Sequence, residues 1–414
     1  MLNTHATLHQ PVIVIPAYKR EKSLLRLLST IENAEYPHKA TLIISLEGGA
    51  SEDVKRTAHN FNSNKLNVIV IEQKSRLGLK MHILHCADYC FEYGSVILLE
   101  DDLIVDKYYY KYASKALLFY ANNNMVAGIA LYAPEFNESA GLPFRPMHNG
   151  YSTYISQIPC SWGQCWTAPQ WQLFRQWFKS SEELDVFDTH RIPTSVKNWP
   201  DSSWKKYFAA YLVHSNCYFV FPYQSYSSNC ADSGGTHVVD GSHIYQVCFA
   251  SQRRPSPEYN FDPLLDAEVA YDSYLEPCGE SIYRNIHKAK EDVEIDTLGV
   301  KPLPLLMGKR YALTCRKTSK VLQTFPLSYR PVEQNFSYPT SSIAQGAFFL
   351  TEASDVLARY KHKRSLLEYS YYTGFNTESL GFGAQVASII PISVIKRIKA
   401  IFRKKWIRWS SLNG

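Results

Sequence analysis

The 414-residue chain has 45% apolar and 20% charged residues, a profile that fits a soluble globular protein of two or three domains and argues against a disordered or fibrous one. Of its 44 basic residues, seven lie between Lys396 and Arg408, and no acid follows Glu378; the remaining 37 face 38 acids, so the net charge of +6 belongs to the tail. That balance excludes a broad nucleic-acid-binding face, and no run of 18 apolar residues suggests a membrane span.

Pro11–Pro16 is a short Val/Ile run, the composition of a strand buried on both faces. Leu24, Leu27, Leu28 and Ile31 follow at helical spacing, and Ala40–Glu47 and Leu66–Glu72 read as the next two strands. Leu79, Ile83, Cys86 and Cys90 mark a helix that Gly94 is placed to end. Val96–Leu99 makes a fourth strand, Tyr108–Tyr120 a further helix, and Met125–Tyr132 is apolar again. This alternation predicts an α/β fold with a mainly parallel sheet and flanking helices, whose ligands bind beyond the carboxyl ends of the strands. From Pro134 to about His243 the chain is irregular and rich in Trp, Gly, Ser and Cys, and reads as loops and short elements covering those ends. Beyond Gln252 come Pro- and Tyr-rich stretches with short strands expected at Tyr311–Thr314 and Ala347–Leu350, a C-terminal α+β extension. The expected division is 1–250, in two parts, 11–135 and 136–250, then 251–385 and a tail 386–414.

The nine cysteines, from Cys86 to Cys315, form no CxxC pair and no zinc spacing. With no leader pattern in Met1–Gln10, they point to free thiols in the cytoplasm. The 29 tyrosines suit sugar and nucleotide surfaces and ordinary packing alike.

Glu100-Asp101-Asp102 lies between Val96–Leu99 and Leu103–Val105. Three carboxylates so close to a core edge raise one another's pKa values unless a cation compensates. Mg²⁺ or Mn²⁺ would do so and would bridge a diphosphate. Solvated acids at a strand end are the plainer alternative, but the position at the end of a fourth alternating strand favours a site.

The blocks Pro11–Arg20, Leu77-Gly-Leu-Lys80, Val96–Leu103, Cys160–Trp166 and Ser233-Gly-Gly-Thr-His237 resemble, in order and spacing, GT-A-fold glycosyltransferases, in particular bacterial surface-polysaccharide transferases and N-acetylglucosaminyltransferase I. The resemblance covers about residues 11 to 245 and implies a metal-dependent, inverting transfer from a nucleotide-sugar, foremost a UDP-sugar, to a glycan or lipid-linked glycan. By the same resemblance Pro16, Ala17, Tyr18 and Arg20 line the base and ribose, with Gly78 and Lys80 also at the donor. Glu47 stands where the family often has Asp against the base. Asp102 ligates Mn²⁺ or Mg²⁺, Asp101 lies near the ribose, and Glu100 orients the set. Trp162 and Gly163 form a wall at the donor sugar, or belong to a buried aromatic cluster. Ser233 and Gly234 approach the phosphates, and His237 binds the metal or the diphosphate, or is structural.

Asp201, in Trp199-Pro-Asp-Ser-Ser-Trp204, is the implied general base, with Asp232 as fallback; a helix N-cap is the other reading of Asp201. Pro391–Trp409 sets Ile395, Ile398, Phe402, Trp406 and Trp409 on one helical face and basic residues largely on the other. It reads as lying on an anionic membrane surface, or as docked on the protein's own core. A sugar nucleotidyltransferase or a non-catalytic glycan-binding scaffold are the other functions considered; the absence of glycine in Pro16–Arg20 counts against the former.

Overall fold

The computed structural model describes residues 10–181, 185–232, 245–249, 257–340, 347–357 and 366–374. In chain order the strands are β1 (Val12–Ala17), β2 (Ala40–Leu46), β3 (Leu66–Glu72), β4 (Ser95–Leu98), β5 (Leu103–Val105), β6 (Val126–Ala130), β7 (Phe136–Asn137), β8 (Leu142–Pro143) and β9 (Thr153–Ser156). They continue as β10 (Gln164–Thr167), β11 (Tyr218–Pro222), β12 (Ser227–Asn229), β13 (Ala270–Tyr271), β14 (Val293–Asp296), β15 (Tyr311–Thr314), β16 (Gln323–Phe325) and β17 (Phe348–Glu352).

Nine of them form one twisted sheet in the order β13-β9-β11-β6-β10-β4-β1-β2-β3. The run β4-β1-β2-β3 is parallel, as the alternating strand–helix pattern requires, because crossover helices return each strand in the same direction. Val12, Ile13, Val14 and Ile15 are all buried, half of them in each of the two layers that sandwich the sheet. Helices Glu21–Glu32, Leu79–Asp88 and Tyr109–Tyr120 lie where periodicity expects them. Helix Glu52–Asn60 escapes a periodicity search because only Val54 and Ala58 of it are buried. Its cap, Ser51 followed by Glu52 and Asp53, is the signal that finds it.

The segment read as loops from Pro134 onward is a correction. It supplies three strands of the main sheet, and β10 lies in the sheet's centre, antiparallel to both β4 and β6. Four residues buried on both faces, Gln164-Cys-Trp-Thr167, show neither a period of two nor an apolar run, so nothing local marks them as a strand. Their position is set by the aromatic layer beneath. Trp166, fully buried, meets Trp171, Trp204, Phe208 and Phe219 at ring-centroid distances of 4.7, 5.8, 5.8 and 6.2 Å.

Gly128 in β6 makes room for this layer: a Cβ there would come within 2.6 Å of both the Phe219 ring and Trp166 Nε1. Gly128→Ala is therefore expected to cost about 1–3 kcal/mol by overpacking, read as a lower denaturant midpoint with an unchanged m-value.

β14–β17 make a second sheet, ordered β14-β15-β17-β16, with its own core around Leu313, Phe325, Phe336 and Phe348. It is the α+β extension expected after residue 250. Residues 1–362 form one compact unit and 363–414 another, of which helix Leu366–Thr373 is described. No helix among the described residues is long and apolar enough to cross a membrane.

Candidate functional site

β1 and β4 are adjacent and parallel, so the residues following them emerge side by side. Arg20, just past β1, donates from Nη1 to Asp102 Oδ2 at 2.8 Å and from Nη2 to Asp101 Oδ1. One guanidinium thus compensates two carboxylates, and the third is left to adapt. Glu100 is pushed up to about 8 by burial and by the Asp102 charge, against the pull of Arg20. Asp101 is pushed up to about 6 by burial, with Arg20 opposing. Asp102 Oδ1 is buried and accepts no hydrogen bond from any described residue. A buried carboxylate oxygen without a partner is costly, and it marks where a cationic ligand fits.

The antiparallel ribbon β5–β12 brings a distant segment to the triplet. Leu103 pairs with Asn229, and Cys230 N donates to Asp102 O at 3.0 Å. Asp232 follows at the same edge. Its carboxylate accepts from Ser23 Oγ at 2.6 Å and from Arg26 at 2.5 and 3.1 Å. The Arg26 hydrogen bonds hold it below the usual carboxylate range despite partial burial.

Ala17 is buried and Pro16 half-buried at the end of β1, and the Tyr18 ring lies beneath Lys19 Nζ at 4.8 Å and the Arg76 guanidinium at 5.5 Å. Glu47, at the end of β2, is buried and committed to backbone. Oε1 accepts from Gly48 N and Leu77 N, both at 2.8 Å, and Oε2 from Gly78 N at 2.9 Å. Gly78, at φ +77°, opens helix Leu79–Asp88, a conformation that favours glycine. Lys80 Nζ sits 4.6 Å from the Tyr207 ring and 5.9 Å from that of Phe178.

Beyond the strand ends lies a cavity of about 360 Å³, whose lining includes Arg20, Glu100, Asp102, Trp162, Lys205 and Asp232. Trp162 packs edge-on to Tyr132 at 4.8 Å and tilted on Tyr245 at 4.6 Å. The two readings of the Trp-rich block divide between its tryptophans: Trp162 lines the cavity, whereas Trp166 belongs to the buried aromatic layer. Gly163, at φ +93°, faces Ser227 and Leu131 so closely that a Cβ would lie 3.0 to 3.1 Å from them. Lys205 Nζ stands 5.2 Å from the Trp162 ring and 5.0 Å from the Trp199 ring. Sequence reasoning missed Lys205 because nothing local separates it from Lys206; the structure turns one into the cavity and the other away.

Asp201 is not part of that lining. Its side chain is 81% exposed and pairs with Lys206 Nζ at 2.7 Å, which lowers its pKa. Ser203, not Asp201, occupies the cap position of helix Trp204–His214, without a side-chain cap bond. Ser233, Gly234 and His237 lie outside the described residues, as does the basic tail. Among the described residues no group of three or more His, Cys, Asp or Glu is arranged to hold a metal ion. A cation here would take Asp102 as its carboxylate and complete its shell with donor oxygens and water, as Mg²⁺ commonly does.

The raised carboxylates have a measurable consequence. Glu100 binds its proton more tightly folded, at about 8, than in an unfolded chain at about 4.3. The folded state then holds the extra proton between those values, so stability falls as pH rises from about 4.5 to about 8. Asp101 adds to the same slope up to about 6. Denaturant melts of the metal-free protein across this window are expected to show the decline, and Glu100→Gln to flatten it.

No family model matches the chain, and no curated protein matches it. Among solved structures, TarS residues 1–349 from S. aureus aligns at a TM-score of 0.35 and 14% identity, over 53% of this chain and 59% of that one. The same TarS fragment in complex with UDP-GlcNAc gives 0.36 and 13%, over 56% and 62%. The mannosyltransferase PcManGT from Pyrobaculum calidifontis, in complex with GDP-Man and Mn2+, gives 0.28 and 13%, over 40% and 46%. The chain spans less than two thirds of each, and scores at this level do not place it among them.

Proposed function

We infer that the chain is a metal-dependent glycosyltransferase that moves a sugar from a nucleotide-sugar donor, foremost a UDP-sugar, to a lipid-linked glycan in bacterial surface polysaccharide synthesis, with inversion. The observation that carries the reading is Asp102 Oδ1, buried without a partner among the described residues, on a carboxylate that lines a cavity of about 360 Å³. A divalent cation held there would neutralise the charge that develops on a departing nucleoside diphosphate. The rest falls to the chain's own groups. Arg20 fixes the orientation of Asp101 and Asp102. Lys205 presents a second positive charge to the cavity, where its effect is greatest at low dielectric. The ring of Trp162 offers a flat apolar face to the donor sugar, and Tyr18 with Arg76 offers a stacking surface to the base. The basic tail would hold the enzyme on an anionic membrane surface beside a lipid-linked acceptor, which co-sedimentation with anionic vesicles tests.

The deciding experiment is a melting-temperature series with Mn²⁺ and UDP-, GDP-, dTDP- and CMP-sugars, with and without EDTA. A metal-dependent rise for one nucleotide class supports the reading, since a ligand that binds only the folded state stabilises it by mass action. A rise that survives EDTA assigns the diphosphate charge to Arg20 and Lys205 instead. No rise with any donor, in a folded sample, leaves a non-catalytic glycan-binding scaffold.

A further inference from the structure

An inverting transfer needs a carboxylate that can take a proton on the acceptor side of the donor sugar. The described carboxylates of the large cavity are otherwise engaged. Asp102 is bound to Arg20, Asp232 to Arg26 and Ser23, and Glu100 adjoins the Asp101–Asp102 pair that Arg20 holds. A smaller, mostly apolar cavity of about 70 Å³ adjoins the first, and the two share Glu138, Ser161, Trp162, Trp199 and Lys205. Glu138 is the single carboxylate among the described residues that lines both. It is exposed, it follows Asn137 at the end of β7, and no described residue donates a hydrogen bond to it or pairs with it. Its charge nonetheless reaches the phenol of Tyr245, which burial first and Glu138 in addition raise, and at Tyr132 it adds to the larger effects of burial, Cys160 and Glu135. Those two rings flank Trp162, so the exposed carboxylate stands beside the aromatic wall.

We propose that Glu138 is the general base, acting on a saccharide acceptor that enters through the smaller cavity and stacks on Trp199. The acceptor hydroxyl forms the new bond to the anomeric carbon and gives its proton to Glu138. The bond from that carbon to the diphosphate oxygen breaks, and its electron pair leaves with the nucleoside diphosphate. Trp199 supplies the apolar face that a sugar ring packs on, and Lys205 stands 5.0 Å from that ring on the side of the leaving charge. This assignment rests on the donor-site reading above.

The test uses the full chain with Glu138→Gln and Glu138→Asp. Donor binding is read by melting-temperature shift, and turnover by nucleoside diphosphate released from the donor that binds, with water and then octyl glycosides as acceptors. Glutamine keeps the size and hydrogen-bonding capacity of the side chain but cannot take the proton. The expected result is an unchanged donor shift with kcat lower by about 10²–10⁴-fold, and partial recovery in the aspartate variant. A glutamine variant with wild-type kcat and intact donor binding overturns the role of Glu138 alone. A wild-type protein that binds no donor overturns the donor site and this role together, and the binding arm tells the two failures apart.

Discussion

Asp102→Ala is expected to abolish the metal-dependent part of donor binding and to lower kcat/KM by about 10²–10⁴-fold, the equivalent of several kcal/mol of transition-state charge stabilisation. The expectation follows from the division of labour inside the triplet. Asp102 Oδ2 faces Arg20, while Oδ1 is buried without a partner among the described residues, and the residue lines the cavity. Removing the carboxylate takes away the cation's protein ligand and returns Arg20 to Asp101 alone. The fold should tolerate it, because an unsatisfied oxygen is lost with the ligand and Glu100 loses the like charge that acts on it most. The variant should therefore melt close to the wild type without metal, and isothermal titration with Mn²⁺ and donor should show a heat in the wild type that is absent from the variant. Equal heats in both would remove Asp102 from the metal site.

Glu47→Ala is expected to do the opposite: a large loss of stability with a secondary loss of donor affinity. Its two oxygens accept from three backbone amides, those of Gly48, Leu77 and Gly78, and the side chain is buried. Hydrogen bonds to a carboxylate contribute about 1.5–3 kcal/mol each, and buried donors left unpaired add their own desolvation cost. Even with partial access of water to the freed amides, about 3–5 kcal/mol is the scale expected. The loop cannot re-close by shifting inward. Gly48 already approaches Ser75 so closely that even a Cβ would fall 2.2 Å from its carbonyl carbon. The loop 73–78, with Arg76 over Tyr18, should loosen first. Protease cleavage within it, together with a lowered melting temperature, would report this. Glu47→Gln should fall between, because one oxygen still accepts from the backbone while the amide NH₂ meets a backbone N–H donor where the other oxygen accepted. A Glu47→Ala protein that melts like the wild type and resists cleavage would mean that the loop is held by other contacts.

Residues 11–132 and the site they carry differ from the rest in how far local sequence determines them. There a buried parallel strand needs a Val/Ile run, and a crossover helix with a full 3.6-residue stripe shows it, so β1 to β4 and helices Glu21–Glu32 and Leu79–Asp88 are legible within a residue or two, whereas helix Glu52–Asn60, with two buried residues, is not. The polar residues at their carboxyl ends, Arg20, Glu47 and the triplet, inherit that legibility, since topology alone places them together. What each one does there is a different matter. The adjacency of Glu47 to the site could be read, but not its bonds to amides thirty residues away, because hydrogen-bond partners across loops leave no local pattern. Asp201 and Lys205 show the same limit on one helix end. Both were within reach of the cavity by sequence position, and only the rotation of helix Trp204–His214 turns Lys205 inward and leaves Asp201 paired with Lys206.

By itself, then, the sequence determined the parallel half of the sheet, the position of the acidic triplet at its edge and the α+β character of the later region, because each depends on periodicity within a single element. Only tertiary structure decided that β10 enters the sheet's centre, that Trp166 is core while Trp162 is wall, and that Glu138 stands where two cavities meet. Those outcomes depend on volume and partners contributed by segments far apart in the chain, and short elements buried on both faces carry no period from which to foresee them.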